Sequence, residues 1–142
     1  MTKLERLQEW AKLMRRIATE DLDMRGWYGC GTVACAAGHA TMHAPFVEEG
    51  LVKVEDEDDT SYLADVRPGL VARGVDGETV PRWERGYLAI REFFGLSHDE
   101  ATHICSKEAY KHTDKICGDL VALRIEGIIA KRTGEGTGRG AV

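Results

Sequence analysis

The chain has 142 residues, of which 43% are hydrophobic and 30% are charged, and its formal net charge is −5. This length is typical of one domain and buries enough surface to fold without a disulfide or a metal. The acidic balance argues against binding to nucleic acid, which needs clustered lysine and arginine to neutralise phosphates. It is compatible with a basic protein partner.

The amino-terminal segment, MTKLERLQEWAKLMRRIATEDL, is charged throughout and lacks the uninterrupted apolar stretch of a signal peptide. The sequence contains no run approaching the ~18 apolar residues of a membrane-spanning helix. We therefore expect a cytoplasmic protein that contacts no membrane. In that compartment the four cysteines are expected to be free thiols or metal ligands.

Residues 3 to 20 have the apolar spacing of an amphipathic helix. The apolar stripe consists of Leu4, Leu7, Trp10, Leu13, Met14 and Ile17. The opposite, polar face consists of Lys3, Glu5, Arg6, Glu9, Lys12 and Arg16. We expect this second set to lie in solvent.

A second helix is predicted over residues 33 to 43, with Thr32 as its N-cap and its end before Pro45. Almost all its residues are small, and Gly38 within it costs about 1 kcal/mol relative to alanine. Such a glycine usually allows a neighbouring element to approach closely. We interpret the segment as a central helix packed against helices 3–20, 83–94 and 114–131.

Three further helices are predicted in the second half of the chain. The first spans residues 83 to 94 and ends at Gly95, and the sequence SHDE at Ser97 is a capping box that begins the next. The last runs over 114 to 131, with Thr113 as its cap and with five apolar residues facing inward: Ile116, Leu120, Leu123, Ile128 and Ile129. Residues 50 to 80 are the least regular and suit a small β hairpin.

These elements together predict a mainly α domain over residues 1–132, with four or five helices around the small-residue helix. A small β hairpin is expected at about 50–80. The Gly-rich residues 133–142 are expected to form a flexible tail.

The segment GWYGCGTVACAAGHATMHAP suggests thiol chemistry as one alternative. Cys30 precedes the small-residue helix and Cys35 lies near its first turn, where the helix dipole favours a thiolate, and His39 could serve as the base. The stretch CGTVACAAG, residues 30–38, resembles the nucleophile region of papain-like and bacteriocin-processing peptidases over about ten positions. Those families also need a downstream histidine on a strand, and here His98, His103 and His112 lie in helical or connecting sequence.

A structural zinc site is the other alternative, with Cys30, Cys35, His39 and His43 as ligands. Residues four apart on a helix can chelate one ion, but residues eight apart lie about 12 Å apart along the axis. A closed site would therefore need help from the later histidines and cysteines. The commoner role of such cysteines is that of small buried apolar side chains, and this interpretation predicts no cofactor.

Two groups of residues are candidates for binding a protein partner. The acidic run Glu55, Asp56, Glu57, Asp58 and Asp59 lacks the glycine and distal glutamate of a calcium loop, so we expect a solvated loop that could meet a basic surface. Trp27 and Tyr28 are aromatic residues of the kind that dominate interfaces. Burial in the core is the other possibility for Trp27.

Two segments resemble a group of small bacterial and phage proteins to which no activity is attached. The matching residues are Trp27, Cys30, Gly31, Thr32, Cys35, Ala37 and Gly38, followed by Gly95, Leu96, Ser97, Glu100 and Ala101. The resemblance covers about a third of the chain and implies a helical fold and a phage or mobile-element setting. If a phage encodes the protein, the expected location is the host cytoplasm. That group often has tryptophan at the position of His39, which weakens the case for His39 as a ligand.

The sequence as a whole therefore favours a non-catalytic protein that acts by binding another protein, such as a host or defence factor. It contains no complete catalytic set and no basic patch, and it carries an acidic loop. The cysteine-dependent enzyme and the structural zinc protein remain the alternatives. The oligomeric state and the identity of the partner are left open.

Overall fold

The computed structural model describes residues 1–24, 35–55, 61–65, 82–110 and 115–134. Its α-helices are α1 (Lys3–Arg16), α2 (Ala36–Thr41), α3 (Ala44–Glu48), α4 (Arg82–Phe94), α5 (His98–Cys105) and α6 (Gly118–Thr133). Two 3-10 turns cover Thr19–Asp21 and Lys107–Tyr110, and the strands are β1 (Leu51–Glu55) and β2 (Ser61–Asp65). The predicted mainly helical fold is confirmed.

The two strands form an antiparallel pair in which Leu51 lies opposite Asp65 and Glu55 opposite Ser61. The predicted hairpin region is thus occupied by paired strands in its first half, and β2 packs beside α4. The rest of the region in which a hairpin was predicted, residues 66 to 80, lies outside the described residues.

Local capping signals place two helix starts where the sequence predicted them or nearby. Ser97 accepts a hydrogen bond from the backbone N–H of Glu100 at 3.1 Å, and the Glu100 carboxylate accepts from the Ser97 N–H at 2.9 Å. Thr2 and Glu5 form the same reciprocal box at the start of α1. Gly95 ends α4 with a φ of 69°, a conformation that favours glycine.

Other helix boundaries differ from the prediction. Helix α1 ends at Arg16 rather than residue 20, because Ile17 adopts an extended backbone and a 3-10 turn follows. The predicted helix 33–43 is only six residues long where described, and Cys35, not Thr32, precedes it as the N-cap. Pro45 does not end a helix but lies in the first turn of α3, where its missing N–H costs nothing.

Helix α6 begins at Gly118, four residues later than predicted, with Cys117 rather than Thr113 as its N-cap. Its most extensive contact is with α1. A Cβ built on Gly118 would lie 1.9 Å from the carbonyl oxygen of Met14, so the two helix backbones meet directly there. Of the predicted tail 133–142, Thr133 is the last residue of α6 and Gly134 is its C-cap. Thr113 and residues 135–142 lie outside the described residues.

An aromatic cluster forms the centre of the core. Trp10 stacks on Phe94 with ring centroids 4.2 Å apart, and Phe46 meets both Phe93 and Phe94 edge to face. The Trp10 indole N–H also donates to the Ala36 carbonyl at 3.2 Å. These contacts join α1, α2, α3 and α4 around one set of rings.

All six residues of α2 are buried, as expected for a tightly packed small-residue helix. It contacts α1, α3, α5 and both strands. Of the three helices against which this segment was predicted to pack, α1 is among these neighbours, while α4 and α6 pack mainly against β2 and α1.

Arg6 was predicted on the solvent face of α1 but is only 7% exposed. Its guanidinium lies over the Phe93 ring at 3.9 Å from the centroid and donates to the Phe93 carbonyl at 2.8 Å. Its Nε donates to Glu49 at 2.9 Å. These partners satisfy the buried charge and tie α1 to α3 and α4.

Candidate functional site

Cys35 is a buried thiol that caps a helix. Its Sγ accepts a hydrogen bond from the Gly38 backbone N–H at 3.3 Å, and the residue is 5% exposed. Burial raises the pKa of this thiol to about 11, and the nearby backbone N–H groups only partly oppose that rise. Since the thiolate is the nucleophile, this environment disfavours a reactive Cys35 at neutral pH.

Cys105, at the end of α5, is buried as well. Burial raises its pKa well above the usual value, and the proximity of Cys35 adds to the rise. Cys117, at the start of α6, is half-buried. The cysteines therefore differ in their access to solvent.

We expect alkylation of the native protein to separate these thiols. Iodoacetamide at pH 7.5 should modify Cys117 at least about tenfold faster than Cys35 or Cys105, because reaction needs an accessible thiolate. Peptide mass spectrometry after quenching at successive times measures each rate. Protein unfolded in urea is the control and should be labelled at all sites at similar rates. Fast labelling of Cys35 in the folded protein would contradict the packing described here.

His39 and His43 have separate partners. The His39 Nε2 lies 2.7 Å from the Asp21 carbonyl oxygen, and that of His43 lies 2.7 Å from a Glu9 carboxylate oxygen. Cys35, His39 and His43 thus do not converge. No group of three or more potential metal-binding side chains occurs within the described part of the chain. Cys30, a ligand in the zinc alternative and one of the two nucleophiles named in the thiol alternative, lies outside the described residues.

The predicted binding residues fall mostly outside the described ranges. These are Trp27, Tyr28, Asp56, Glu57, Asp58 and Asp59. Glu55 is the last residue of β1 and lies opposite the first residue of β2. The sequence between these paired residues is the rest of the acidic run, which therefore connects the two strands.

A cleft of about 210 Å³ lies where the start of α1 meets the end of α4. Arg91 contributes a buried Nε that has no hydrogen-bond partner among the described residues, and Lys3 and Glu92 line the same space. The volume is below the ~300 Å³ of the smaller ligand pockets. The cleft is large enough for water or a small ion but not for a typical organic substrate.

The outward face of α6 carries an apolar strip that sequence reasoning missed. We name it the outer stripe and define it as Leu120, Leu123, Gly127 and Ala130, of which Leu120 is half-buried and also packs against the edge of the core. Leu123, which was predicted to face inward, is 58% exposed, the highest value among the large hydrophobic residues described. Nothing described lies within 4 Å of a Cβ built on Gly127. The inward face of α6 is formed instead by Gly118, Val121, Ala122, Ile125 and Ile128, all buried.

Charged residues of opposite sign border the outer stripe. Asp119 and Glu126 lie along one edge, where Arg15 of α1 contacts them at 3.3 and 2.6 Å. Arg124 and Lys131 lie along the other edge. Arg124 is held over the Tyr110 ring, 3.8 Å from its centroid, and donates to the His103 carbonyl at 2.8 Å.

The signal for this face was present in the sequence. Apolar or small residues recur at steps of three, four and three, which is the spacing of a heptad seam. Helix α6 is apolar on two faces, and one of them already packs on α1 and the core. A helix that is apolar on both sides without being fully buried has a face available to a partner.

Comparison with protein-family models, with curated proteins and with solved structures finds no match to this chain. Within the described residues, no helix has both the length and the apolar content needed to cross a membrane. The function must therefore be inferred from the positions and contacts of this chain's own residues.

Proposed function

We propose that this protein acts by binding another protein through the outer stripe of α6. The observation that carries the proposal is the exposure of Leu123 within an apolar strip bordered by charges of opposite sign. Exposed apolar surface with a charged rim is typical of protein interaction sites. The partner surface that fits best is an amphipathic helix with an apolar face and flanking charges.

The cellular setting belongs to the same proposal. The resemblance to bacterial and phage proteins makes a host or defence factor in the cytoplasm the partner to seek first. The buried thiol of Cys35 favours a binding role over cysteine-dependent catalysis, because burial opposes formation of the thiolate, which is the nucleophile. The acidic run that connects β1 and β2 is the second surface to test, since its charge suits a basic partner.

A pull-down with matched variants tests the proposal. Tagged protein at nanomolar concentration is incubated with bacterial host lysate, and captured proteins are quantified by mass spectrometry. We expect Leu123→Glu to reduce capture of a specific partner at least about tenfold, because it places a charge in the apolar centre of the interface. Met42→Glu is the control, since Met42 is 46% exposed on a different element.

The outcomes separate the two surfaces. Equal capture by the wild type and Leu123→Glu would contradict a role for the outer stripe. Loss of capture only when Asp56 to Asp59 are replaced by their amides would instead place the interface at the acidic run. No specific capture by the wild-type protein would argue against the binding function itself.

A further inference from the structure

We propose that the outer stripe also pairs with a second copy of itself, as two α6 helices packed in parallel on a twofold axis. The proposal rests on the proposed function in that it assigns a partner to the same face. It depends on the spacing of the apolar residues, the arrangement of charges and the position of Gly127.

The spacing supplies the seam. Leu120, Leu123, Gly127 and Ala130 follow one another at three, four and three residues, which corresponds to the a and d positions of a heptad. In a parallel pair on a twofold axis, each seam residue meets its own counterpart in the partner. Leu123 would then lose its exposed 58% against the partner's Leu123.

The charges select the parallel orientation. Asp119 and Glu126 occupy the g positions of this heptad, and Arg124 and Lys131 occupy the e positions. In a parallel pair a g residue faces the e residue five positions further along the other helix. Asp119 then faces the partner's Arg124, and Glu126 faces the partner's Lys131. An antiparallel twofold pair would bring acidic edge against acidic edge and basic edge against basic edge.

The existing contacts leave these charges able to pair. Asp119 has 69% of its side chain exposed and Glu126 has 43%, although both contact Arg15. Lys131 is exposed at the opposite edge. Arg124 already contacts Tyr110 and His103, so the pair between Glu126 and the partner's Lys131 is the more favourable of the two.

Gly127 fits the centre of such a pair. A glycine within a helix costs about 1 kcal/mol relative to alanine, and close packing is the usual compensation. No described residue lies close enough to use the space that its missing side chain leaves. In the pair, that space lets the two backbones approach each other.

The seam spans about 15 Å, since ten residues separate its ends at roughly 1.5 Å each. An interface of that length buries less than the ~1,200 Å² of a standard stable complex. The dimer should therefore be weak and populated only at high protein concentration. At nanomolar concentration the face is free for another partner.

Sedimentation equilibrium of the purified full chain, from about 10 µM to about 1 mM, tests association in the range expected for a weak interface. We expect reversible dimerisation that Leu123→Glu weakens at least about tenfold and that Met42→Glu leaves unchanged. Glu126→Lys should also weaken the dimer, and Glu126→Lys combined with Lys131→Glu should restore it. Both variants lose the contact between Glu126 and Arg15, but only the double variant places opposite charges at positions 126 and 131 of the two helices. A monomer at every concentration, or a dimer indifferent to Leu123→Glu, would overturn the proposal.

The register has its own test. Mild oxidation of Leu123→Cys should link position 123 to position 123 of the partner, identified by peptide mass spectrometry. In an antiparallel pair centred on Gly127 these positions would lie about 12 Å apart along the axis, too far for a disulfide. Absence of this link in a dimer that depends on Leu123 would overturn the parallel arrangement. A purified dimer together with a pull-down that captures nothing specific would uphold this inference while contradicting the proposed function.

Discussion

Replacement of Gly118 by alanine should destabilise the protein by at least about 3 kcal/mol, the upper end of what overpacking costs. The new Cβ would lie 1.9 Å from the Met14 carbonyl oxygen and 3.3 Å from that of Ile17. These atoms belong to the backbone at the end of α1, so no side chain can rotate away to make room. Helices α1 and α6 must separate instead, and theirs is the most extensive helix contact.

Gly127→Ala is the matched control, since it makes the same change in the same helix. Nothing described lies within 4 Å of its new Cβ, so it should stabilise the protein by about 0.5–1 kcal/mol through helix propensity. Urea unfolding at low micromolar concentration, followed by circular dichroism, measures both variants. The two variants should differ by at least about 3.5 kcal/mol in their free energy of unfolding. Equal stability of Gly118→Ala and the wild type would contradict the direct backbone contact.

The sequence could not distinguish these two glycines. Each lies within the last helical segment, and each lowers the intrinsic helix propensity by the same amount. Only the packing of α1, more than a hundred residues away in the chain, makes one indispensable and the other replaceable. Gly118 is also the first residue of α6, which begins four residues after the predicted position 114.

Features encoded by neighbouring residues were predictable. The Ser97–Glu100 capping box and the end of α4 at Gly95 depend on side chains and backbone within a few residues of one another. Arg6 was assigned to the wrong face because its partners, Glu49 and Phe93, are remote in sequence. Helical spacing alone does not predict that a charged residue at the border of an apolar stripe is buried.

In the candidate site, too, features set by local sequence were predictable and features set by contacts between remote residues were not. The small-residue segment around Cys35 was correctly interpreted as tightly packed, because composition alone indicates close approach. The outer stripe could be recognised only after the structure showed which face of α6 meets α1. Without that information, a helix that is apolar on two sides suggests a single broad core face, and Leu123 was placed within it.

The outer stripe is displayed on a helix that the core holds through α1. Arg15 of α1 contacts both acidic residues at one edge of the stripe, and Gly118 fixes the distance between the two helices. Helix α1 is in turn anchored in the core by its fully buried side chains, which include Leu7, Trp10 and Met14. Changes in the core should therefore affect the position of the outer stripe through α1.

Trp10→Ala is the core change with the largest expected effect, about 3–5 kcal/mol. Trp10 is fully buried, stacks on Phe94 with an interplanar angle of 12°, and donates to the Ala36 carbonyl. Alanine removes all of these contacts and leaves a cavity between α1, α2 and α4. Gln8→Ala, at an exposed position of the same helix, is the control and should change stability by less than about 0.5 kcal/mol.

Two further variants separate the contributions of Trp10. Trp10→Phe keeps a ring opposite Phe94 but removes the hydrogen bond and some volume, so its cost should be about half that of alanine. Trp10→Ala combined with Phe94→Ala completes a cycle whose coupling energy should be about 0.5–1.5 kcal/mol if the rings stack as described. Unfolding is followed by circular dichroism because Trp10 is itself a fluorophore. Additive effects of the two substitutions would show that the rings do not interact, and the packing of α1 on α4 would need another explanation.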